Sequence, residues 1–247
     1  ISTFFMITRS KLKSKQQTIK NEITFSDVGL HSGKMAEVII KPAAEDEGIN
    51  FYRSDISSNN KIEALWHNVT STNLSTTISN KHNISISTIE HLMSALSGVH
   101  IDNVNIYINS QEVPIMDGSS KPFVELLEAA GIQEQTSYRK IINVVKPIIV
   151  NHEDSYVKIL PHKEFSIDFE IEFESSLINK QSCQLQLING NYKSDISSAR
   201  TFGFEKDVEE LRNNGFALGG SLNNAVVVGK NKILNKEGLR FKDEFVR

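Results

Sequence analysis

The clearest pattern of apolar and polar positions predicts a strand followed by a helix at residues 83–103. Isoleucines at every second position open the segment, as is typical of a strand. Apolar residues then recur at i, i+3, i+4 and i+7, and Gly98 supplies a stop signal. Glu90 and His91 therefore lie in the first turn of a helix, off its apolar face.

Spacing alone leaves two interpretations of Glu90 and His91. Ser87 and Glu90 have the spacing of a capping box, which would explain Glu90 without any chemistry, and His91 is then an ordinary half-exposed helix residue. The alternative is a polar pair that lines a cleft. Spacing favours the capping box. Position i+4 from His91 is Ala95 rather than a second histidine, so any other metal ligands must come from distant parts of the chain.

Alternating apolar positions predict further strands in the first half, at residues 18–25, 35–40, 49–52, 62–65, 76–78 and 104–109. The first two flank a glycine-punctuated turn and predict a hairpin. A second helix should begin near Pro122 and end at Gly131. Its buried stripe would consist of Phe123, Leu126, Leu127 and Ala130.

Residues 132–138 are polar and indicate a linker. Beyond it, patterning predicts strands at residues 140–150, 155–160, 165–173, 181–188 and 225–228, and helices at residues 193–199 and 204–213. The strand at 165–173 alternates strictly, which predicts one buried apolar face and one wet acidic face.

The order of these elements predicts an α+β fold of two domains, each a β-sheet layer packed with two helices in a two-layer sandwich. Domain I would span residues 18–135 and domain II residues 139–247, after an N-terminal tail of residues 1–17.

Composition narrows the function classes. The chain has 247 residues, of which 39% are hydrophobic and 23% charged, as expected of a protein with a real core. A net charge of −3 argues against nucleic acid as a partner. The single cysteine, Cys183, fits a reducing compartment, and no stretch approaches the ~20 apolar residues of a membrane span. We therefore expect a cytoplasmic protein without an integral membrane segment, with a monomer favoured.

Seven motifs in order carry a family resemblance: Gly-Leu-His-Ser-Gly (29–33), Ile-Ser-Thr-Ile-Glu-His-Leu-Met-Ser-Ala-Leu (86–96), Ile-Asp-Asn (101–103), Pro-Ile-Met-Asp-Gly-Ser (114–119), Ala-Arg-Thr-Phe-Gly-Phe (199–204), Leu-Gly-Gly-Ser (218–221) and Gly-Leu-Arg-Phe-Lys-Asp-Glu-Phe-Val-Arg (238–247). Together they resemble the UDP-3-O-acyl-N-acetylglucosamine deacetylases, the zinc hydrolases of lipid A biosynthesis in Gram-negative bacteria. The resemblance runs from about residue 18 to the last residue.

The resemblance implies an active site between the two domains and a Zn²⁺ cofactor. It makes Glu90 the general base and His91 a zinc ligand, which reverses the preference for a capping box. Thr201 would polarise the acetamide carbonyl or hold the oxyanion. His31 and Asp117 match family motifs, and we expect both to be structural.

The substrate implied by the resemblance is a glycolipid that carries a nucleotide sugar. Phe202 and Phe204 would lie near its sugar and nucleotide, and Leu74 belongs to a loop near the substrate. An apolar passage would enclose the acyl chain, with Val208, Ala217, Gly220, Ser221, Ala225 and Val227 as candidates. Ordinary core packing explains Ala225 and Val227 equally well.

One departure from the family pattern sets a further expectation. The resemblance puts the other two zinc ligands, a His and an Asp four residues later, directly after Arg247, and a second catalytic His further on. We therefore expect domain II to be incomplete at its C-terminus, residues 1–247 alone to be inactive, and Met6 to be a candidate start. The competing function is a non-catalytic protein that binds acyl-nucleotide-sugars and is insensitive to a chelator.

Overall fold

The computed structural model describes residues 5–8, by their backbone alone, and residues 14–187 and 190–247. The strands up to residue 138 are β1 (Phe5–Thr8), β2 (Lys15–Ile19), β3 (Ile23–Val28), β4 (Met35–Pro42), β5 (Ile49–Arg53), β6 (Lys61–Glu63), β7 (Val69–Ser71), β8 (Thr77–Ser79), β9 (Ser85–Ile86), β10 (Val104–Ile108) and β11 (Ile132–Tyr138).

The remaining strands are β12 (Ile141–Val144), β13 (Ile148–His152), β14 (Ser155–Ile159), β15 (Ser166–Glu172), β16 (Lys180–Gln186), β17 (Phe202–Phe204) and β18 (Val226–Val228). The helices are α1 (Glu90–Gly98), α2 (Lys121–Ala130), α3 (Tyr192–Asp195) and α4 (Val208–Asn213), and 3₁₀ turns cover Trp66–Asn68, Glu205–Asp207 and Glu244–Val246. In the described part of the chain, no helix is both long and apolar enough to span a bilayer.

A five-stranded sheet in the order β3-β4-β10-β5-β6 forms the centre of the first half. The predicted hairpin is present as β3 and β4, and β10 lies antiparallel to β4 and parallel to β5. Ile106 on β10 is level with Ile40 on β4 and Phe51 on β5, and all three side chains are buried. This row of apolar side chains belongs to the main core of the molecule.

Helices α1 and α2 cover that sheet face. Leu92 and Leu96 of α1 and Phe123 and Leu127 of α2 join the same core, as the helical spacing predicted. Helix α2 ends at Gly131, whose φ of 75° lies in the left-handed region that favours glycine. Sheets with helices on one face confirm the α+β class; the division into domains I and II stays a prediction.

The predicted tail and linker are partly wrong, because residues from both form strands. Within residues 1–17, β1 pairs with β12, and the first residues of β2 pair with β11, which occupies the predicted linker at 132–138. Strand partners more than 100 residues apart leave no local signal. The basic residues Arg9, Lys11 and Lys13 of the predicted tail lie outside the described residues.

In the second half, the strands predicted at residues 155–160, 165–173 and 181–188 are present as β14, β15 and β16, while the strand predicted at 140–150 is divided into β12 and β13. Strand β13 pairs with β14, and β15 pairs with β16. Alternation in β15 correctly predicted which side chains share a face, but the prediction that the apolar face is buried is wrong, since Phe169 remains 52% exposed. The face forms one wall of an open groove of about 140 Å³, and the opposite wall consists of Ile196 and residues 245–247. Ile188, the predicted end of β16, lies outside the described residues.

A second, smaller core lies beside the parallel pair of strands β17 and β18. It contains Ile178, Val226, Val228 and Phe245, with Phe202 and Phe204 packed against it. The predicted helix at 204–213 is present as the 3₁₀ turn Glu205–Asp207 followed by α4, whereas the helix predicted at 193–199 is reduced to the short α3.

Candidate active site

Glu90 occupies the first position of α1, directly after a sharp change of chain direction at Thr88, whose φ is 56°. Its Oε2 accepts a hydrogen bond of 3.0 Å from the backbone N–H of Thr76. The N–H of Ser87 instead donates to the carbonyl of Gln111, so the capping box does not form. Glu90 is half-buried, and its carboxylate is oriented by a strand-side loop rather than by the cap of its own helix.

His91 is half-buried, and the charges of Glu90 and Asp117 act on its imidazole. Burial lowers the pKa of His91, and this effect outweighs the charges of Glu90 and Asp117, which raise it. The imidazole is therefore neutral around pH 7. Neutral imidazole is the form that binds a metal ion.

Asp117, expected to be structural, lies in the loop before α2, close enough for its charge to act on His91. Its Oδ1 accepts hydrogen bonds from the N–H (3.0 Å) and Oγ (2.7 Å) of Ser119, and its Oδ2 pairs with Arg240 Nη1 at 2.9 Å. A residue from the last ten positions of the chain thus reaches the loop that faces His91. The only sequence signal for this role was the motif that contains Asp117.

Thr201 meets the same loop through its backbone. Its N–H donates to the carbonyl of Gly118 at 2.8 Å, and its own carbonyl accepts from Val226 N–H at 2.9 Å. Gly118 has a φ of 85°, and a Cβ there would lie 2.2 Å from the carbonyl oxygen of Asn224, so only glycine fits. The structure thereby brings Thr201 close to the segment that carries Asp117.

A buried ion pair fixes the residue that precedes Thr201. Arg200 Nε lies 2.8 Å from Glu244 Oε1, which also accepts the Arg200 N–H at 3.0 Å, and both side chains are almost fully buried. Hydrogen bonding to Glu244 raises the pKa of Arg200. The other oxygen, Oε2, accepts the N–H of Arg240 at 2.6 Å. Glu244 therefore binds both Arg200, which directly precedes Thr201, and Arg240, whose side chain reaches Asp117.

The turn at residues 29–33 makes a further contact between the halves. The carbonyls of Leu30 and His31 accept the N–H groups of Gly219 (3.0 Å) and Leu218 (3.1 Å). At Gly219, an added Cβ would lie 2.3 Å from the Gly29 carbonyl oxygen. We call these bonds, together with the contact of residues 118–119 with 200–201, the junction.

His31 is a functional candidate that the sequence prediction treated as structural. Its Nδ1 lies 3.4 Å from the N–H of Ala217, and its Nε2 lies 3.3 Å from the Leu74 carbonyl, a pattern that the neutral Nε2–H tautomer satisfies. The ring also packs edge-on against Phe216. His31 thereby brings Leu74 and Ala217, two predicted substrate residues, to one place.

A polar cavity of about 240 Å³ lies next to this turn. Its lining is rich in hydroxyl groups and includes His31, Ser32, Ser75, Glu112 and Phe216. None of the predicted substrate residues lines it.

The predicted passage residues Gly220 and Ser221 continue the loop after Ala217, and Val208 begins α4. The passage itself stays a prediction.

Phe202 and Phe204, predicted near the sugar and nucleotide, pack their rings within the second core. The ring centroid of Phe202 lies 4.9 Å from that of Phe245. The centroid of Phe173 lies 5.5 Å from that of Phe202 and 5.8 Å from that of Phe204. The two rings remain half-buried. Stacking on a base or sugar stays a prediction.

Metal ligation is incomplete within the described residues. Among residues 14–187 and 190–247, no group of three or more His, Cys, Asp and Glu side chains is close enough to hold a metal ion. A catalytic zinc ion needs about three protein ligands. The residues present therefore do not by themselves fit a complete zinc site, and His91 is the one ligand that the sequence analysis assigned.

The chain is similar in sequence to one family of known proteins. The family model described as LpxC: UDP-3-O-acyl N-acetylglycosamine deacetylase matches residues 16–247. The chain is 45% identical over 232 residues to the UDP-3-O-acyl-N-acetylglucosamine deacetylase of Syntrophus aciditrophicus, covering 94% of this chain and 73% of the relative. Similar relatives with the same name are found in Geobacter sp. strain M21 (46% identity, 94% and 76% covered) and Idiomarina loihiensis (45%, 94% and 77%).

Proposed function

The chain belongs to the UDP-3-O-acyl N-acetylglycosamine deacetylase family, and on that premise we propose that it hydrolyses the N-acetyl group of a UDP-3-O-acyl-N-acetylglucosamine in lipid A biosynthesis. In this reaction the acetamide C–N bond breaks. Water supplies a hydroxyl group to the acetyl carbon and a proton to the nitrogen, so acetate and a free amine are released.

Glu90 is the proposed general base. A carboxylate that takes a proton from the attacking water must be held in one orientation, because proton transfer requires hydrogen-bond distance. The hydrogen bond from Thr76 N–H to Oε2 supports this role, since it fixes one oxygen and leaves Oε1 to accept the proton.

His91 is the proposed zinc ligand, and its neutral state supports this role. A bound Zn²⁺ ion would supply Lewis-acid polarisation and would lower the pKa of a bound water. The described residues do not complete the ligand set. Asp117 holds a negative charge beside the imidazole and is itself held by Arg240.

Thr201 is the proposed donor to the acetamide oxygen as negative charge develops on it. Preorganised donors stabilise such an oxyanion because they do not have to reorient during the reaction. Two backbone hydrogen bonds on Thr201, and the buried Arg200–Glu244 pair next to it, support this assignment. The single observation that carries the proposal is the junction, where the Asp117–Ser119 loop beside His91 meets Thr201.

The substrate contacts extend the proposal. We assign Phe202 and Phe204 to the sugar and nucleotide, Leu74 to a loop near the substrate, and Val208, Ala217, Gly220 and Ser221 to the acyl chain. The support is that Leu74 and Ala217 both contact His31. A cytoplasmic location accords with a chain that contains a single cysteine.

The test uses the protein expressed from its complete coding region, with release of acetate from UDP-3-O-acyl-N-acetylglucosamine as the measurement. We expect Glu90→Gln to lower kcat by about 10²- to 10⁴-fold, since a positioned general base contributes that much. The matched control is Glu125→Gln, an exposed carboxylate on α2 paired with Lys121. Equal activity in the two variants contradicts the assignment of Glu90. Substrate binding without turnover, unchanged by a chelator, supports the non-catalytic binding protein instead.

A further inference from the structure

Glu112 is a buried carboxylate to which the mechanism above gives no role. It is only 1% exposed, and its backbone pairs with that of Ser87 in an isolated parallel bridge. An isolated buried carboxylate is costly unless hydrogen bonds satisfy it. The hydrogen-bond donors to Glu112 therefore identify the segments of the chain that its carboxylate holds in place.

Three donors reach Glu112, and they come from two segments. The N–H groups of His31 and Ser32 donate to Oε1 (2.8 Å) and Oε2 (2.7 Å), so the carboxylate binds the turn at residues 29–33. The hydroxyl of Thr88 donates to Oε1 at 3.0 Å from the residue two positions before Glu90. A Cβ at Gly29 would lie 2.4 Å from Oε2, so the turn approaches the carboxylate as closely as glycine permits.

We propose that Glu112 is a positioning residue that ties the start of the Glu90–His91 helix to the turn that carries His31. The inference rests on the proposed function for its catalytic consequence. The backbone of the turn also bonds Leu218 and Gly219 of the second half, so Glu112 couples the helix start to the junction. Thr88 contributes a second constraint: a β-branched residue with a φ of 56° is strained, and its hydroxyl bond to Glu112 holds it there.

The first variant is Glu112→Gln, with Glu125→Gln as the matched control. Gln keeps the shape but presents an NH₂ group to N–H and O–H donors, so at least one of the three bonds is lost. We expect faster hydrogen–deuterium exchange in residues 29–33 and 87–93, with unchanged exchange in β4. Because small misplacements of catalytic groups are costly, we expect kcat to fall about tenfold or more while KM changes less.

Thr88 variants separate the two links. Thr88→Val removes the hydroxyl and should speed exchange at residues 87–93 and lower kcat, while residues 29–33 stay protected. Thr88→Ser keeps the hydroxyl and should restore both measurements to the values of the unaltered protein. A merely structural role would speed exchange throughout the chain and would not distinguish Val from Ser.

Two outcomes overturn the proposal: unchanged exchange at both segments in Glu112→Gln, or faster exchange there with the kcat of the Glu125→Gln control. If the unaltered protein does not deacetylate the substrate, the proposed function fails. The exchange pattern of Glu112→Gln and the Thr88 pair then still decides whether Glu112 couples the two segments.

Discussion

The two halves of the molecule use similar alternating strands with different results. In the first half, Phe51 lies fully buried in the central sheet beneath α1 and α2. In the second half, Phe169 occupies an equally regular strand but stays 52% exposed, because α3 and α4 are short and do not cover the hairpin. Alternation therefore determines which side chains share a face. Whether that face is buried depends on the layer that packs on it.

The halves also differ in what fixes their geometry. Apolar packing dominates the first half, whereas buried polar groups dominate around Thr201. Asn235, for example, accepts the N–H of Val227 and donates to the carbonyls of Leu222 and Ala225. Hydrogen bonds are directional, so such a network fixes atoms more narrowly than contact between apolar surfaces does. This suits a region that must hold a catalytic threonine.

The largest expected effect is on the first half. We expect Phe51→Ala to lower the free energy of unfolding by about 3–5 kcal/mol, because it removes a fully buried ring and leaves a cavity. Urea denaturation followed by circular dichroism measures it. A loss below ~1 kcal/mol would mean that the two halves do not differ in the way described here.

The second expected effect concerns the polar side of the comparison. Glu244→Gln keeps an acceptor oxygen but removes the charge that pairs with Arg200, and we expect a loss of about 1–3 kcal/mol in the same denaturation assay. Glu237→Gln is the control, because Glu237 also pairs with Arg200 but is largely exposed. Equal losses in the two variants would contradict a special role for the buried pair.

A smaller effect is expected from the exposed hairpin. Phe169→Ala makes the same substitution as Phe51→Ala on a ring that is only half covered, so the loss should not exceed about 1 kcal/mol. If instead it equals the loss in Phe51→Ala, the ring is buried in solution by a contact that the described residues do not include.

The smallest effect tests how the loop after β4, which carries Glu45, is joined to β11. Hydrogen bonds from Ser137 and Thr136 lower the pKa of Glu45 to about 2, from an ordinary value of 4.5. The folded-state pKa is depressed, so this carboxylate stabilises the fold above pH 4.5, and the contribution is lost as the pH falls towards 2. In Glu45→Gln, thermal melts should show a shallower decline in stability across that interval. An identical decline would contradict the assignment.

Local patterns predicted most of the elements but few of their partners. The apolar spacing of α1 and the glycine after α2 were sufficient to predict both helices. The strand β11 was mistaken for a linker because its polar sequence pairs with residues more than 100 positions earlier. Burial of β15 could not be predicted, because it depends on how other elements pack.

The site was predicted in the same uneven way. Glu90, His91 and Thr201 were found through motifs, and their roles stay predictions. Glu112 was missed because its partners lie about 80 and 24 residues away, and no local pattern marks it. The capping box was favoured on spacing, but the left-handed Thr88 turns the backbone so that Glu90 meets Thr76 instead.

The junction has a consequence for how this protein can vary. Its contacts are main-chain hydrogen bonds and close approaches at Gly118 and Gly219. Side chains add to these contacts: Arg240 of the second half pairs with Asp117 and donates to the Ser119 hydroxyl, and the hydroxyls of Tyr192 and Ser94 share a hydrogen bond. A side chain at Gly118 or Gly219 would collide with the backbone of the other half, so substitution of either glycine should displace the two halves relative to each other. At these two positions the junction accepts only glycine, whereas its other main-chain hydrogen bonds use N–H and C=O groups that almost any residue offers.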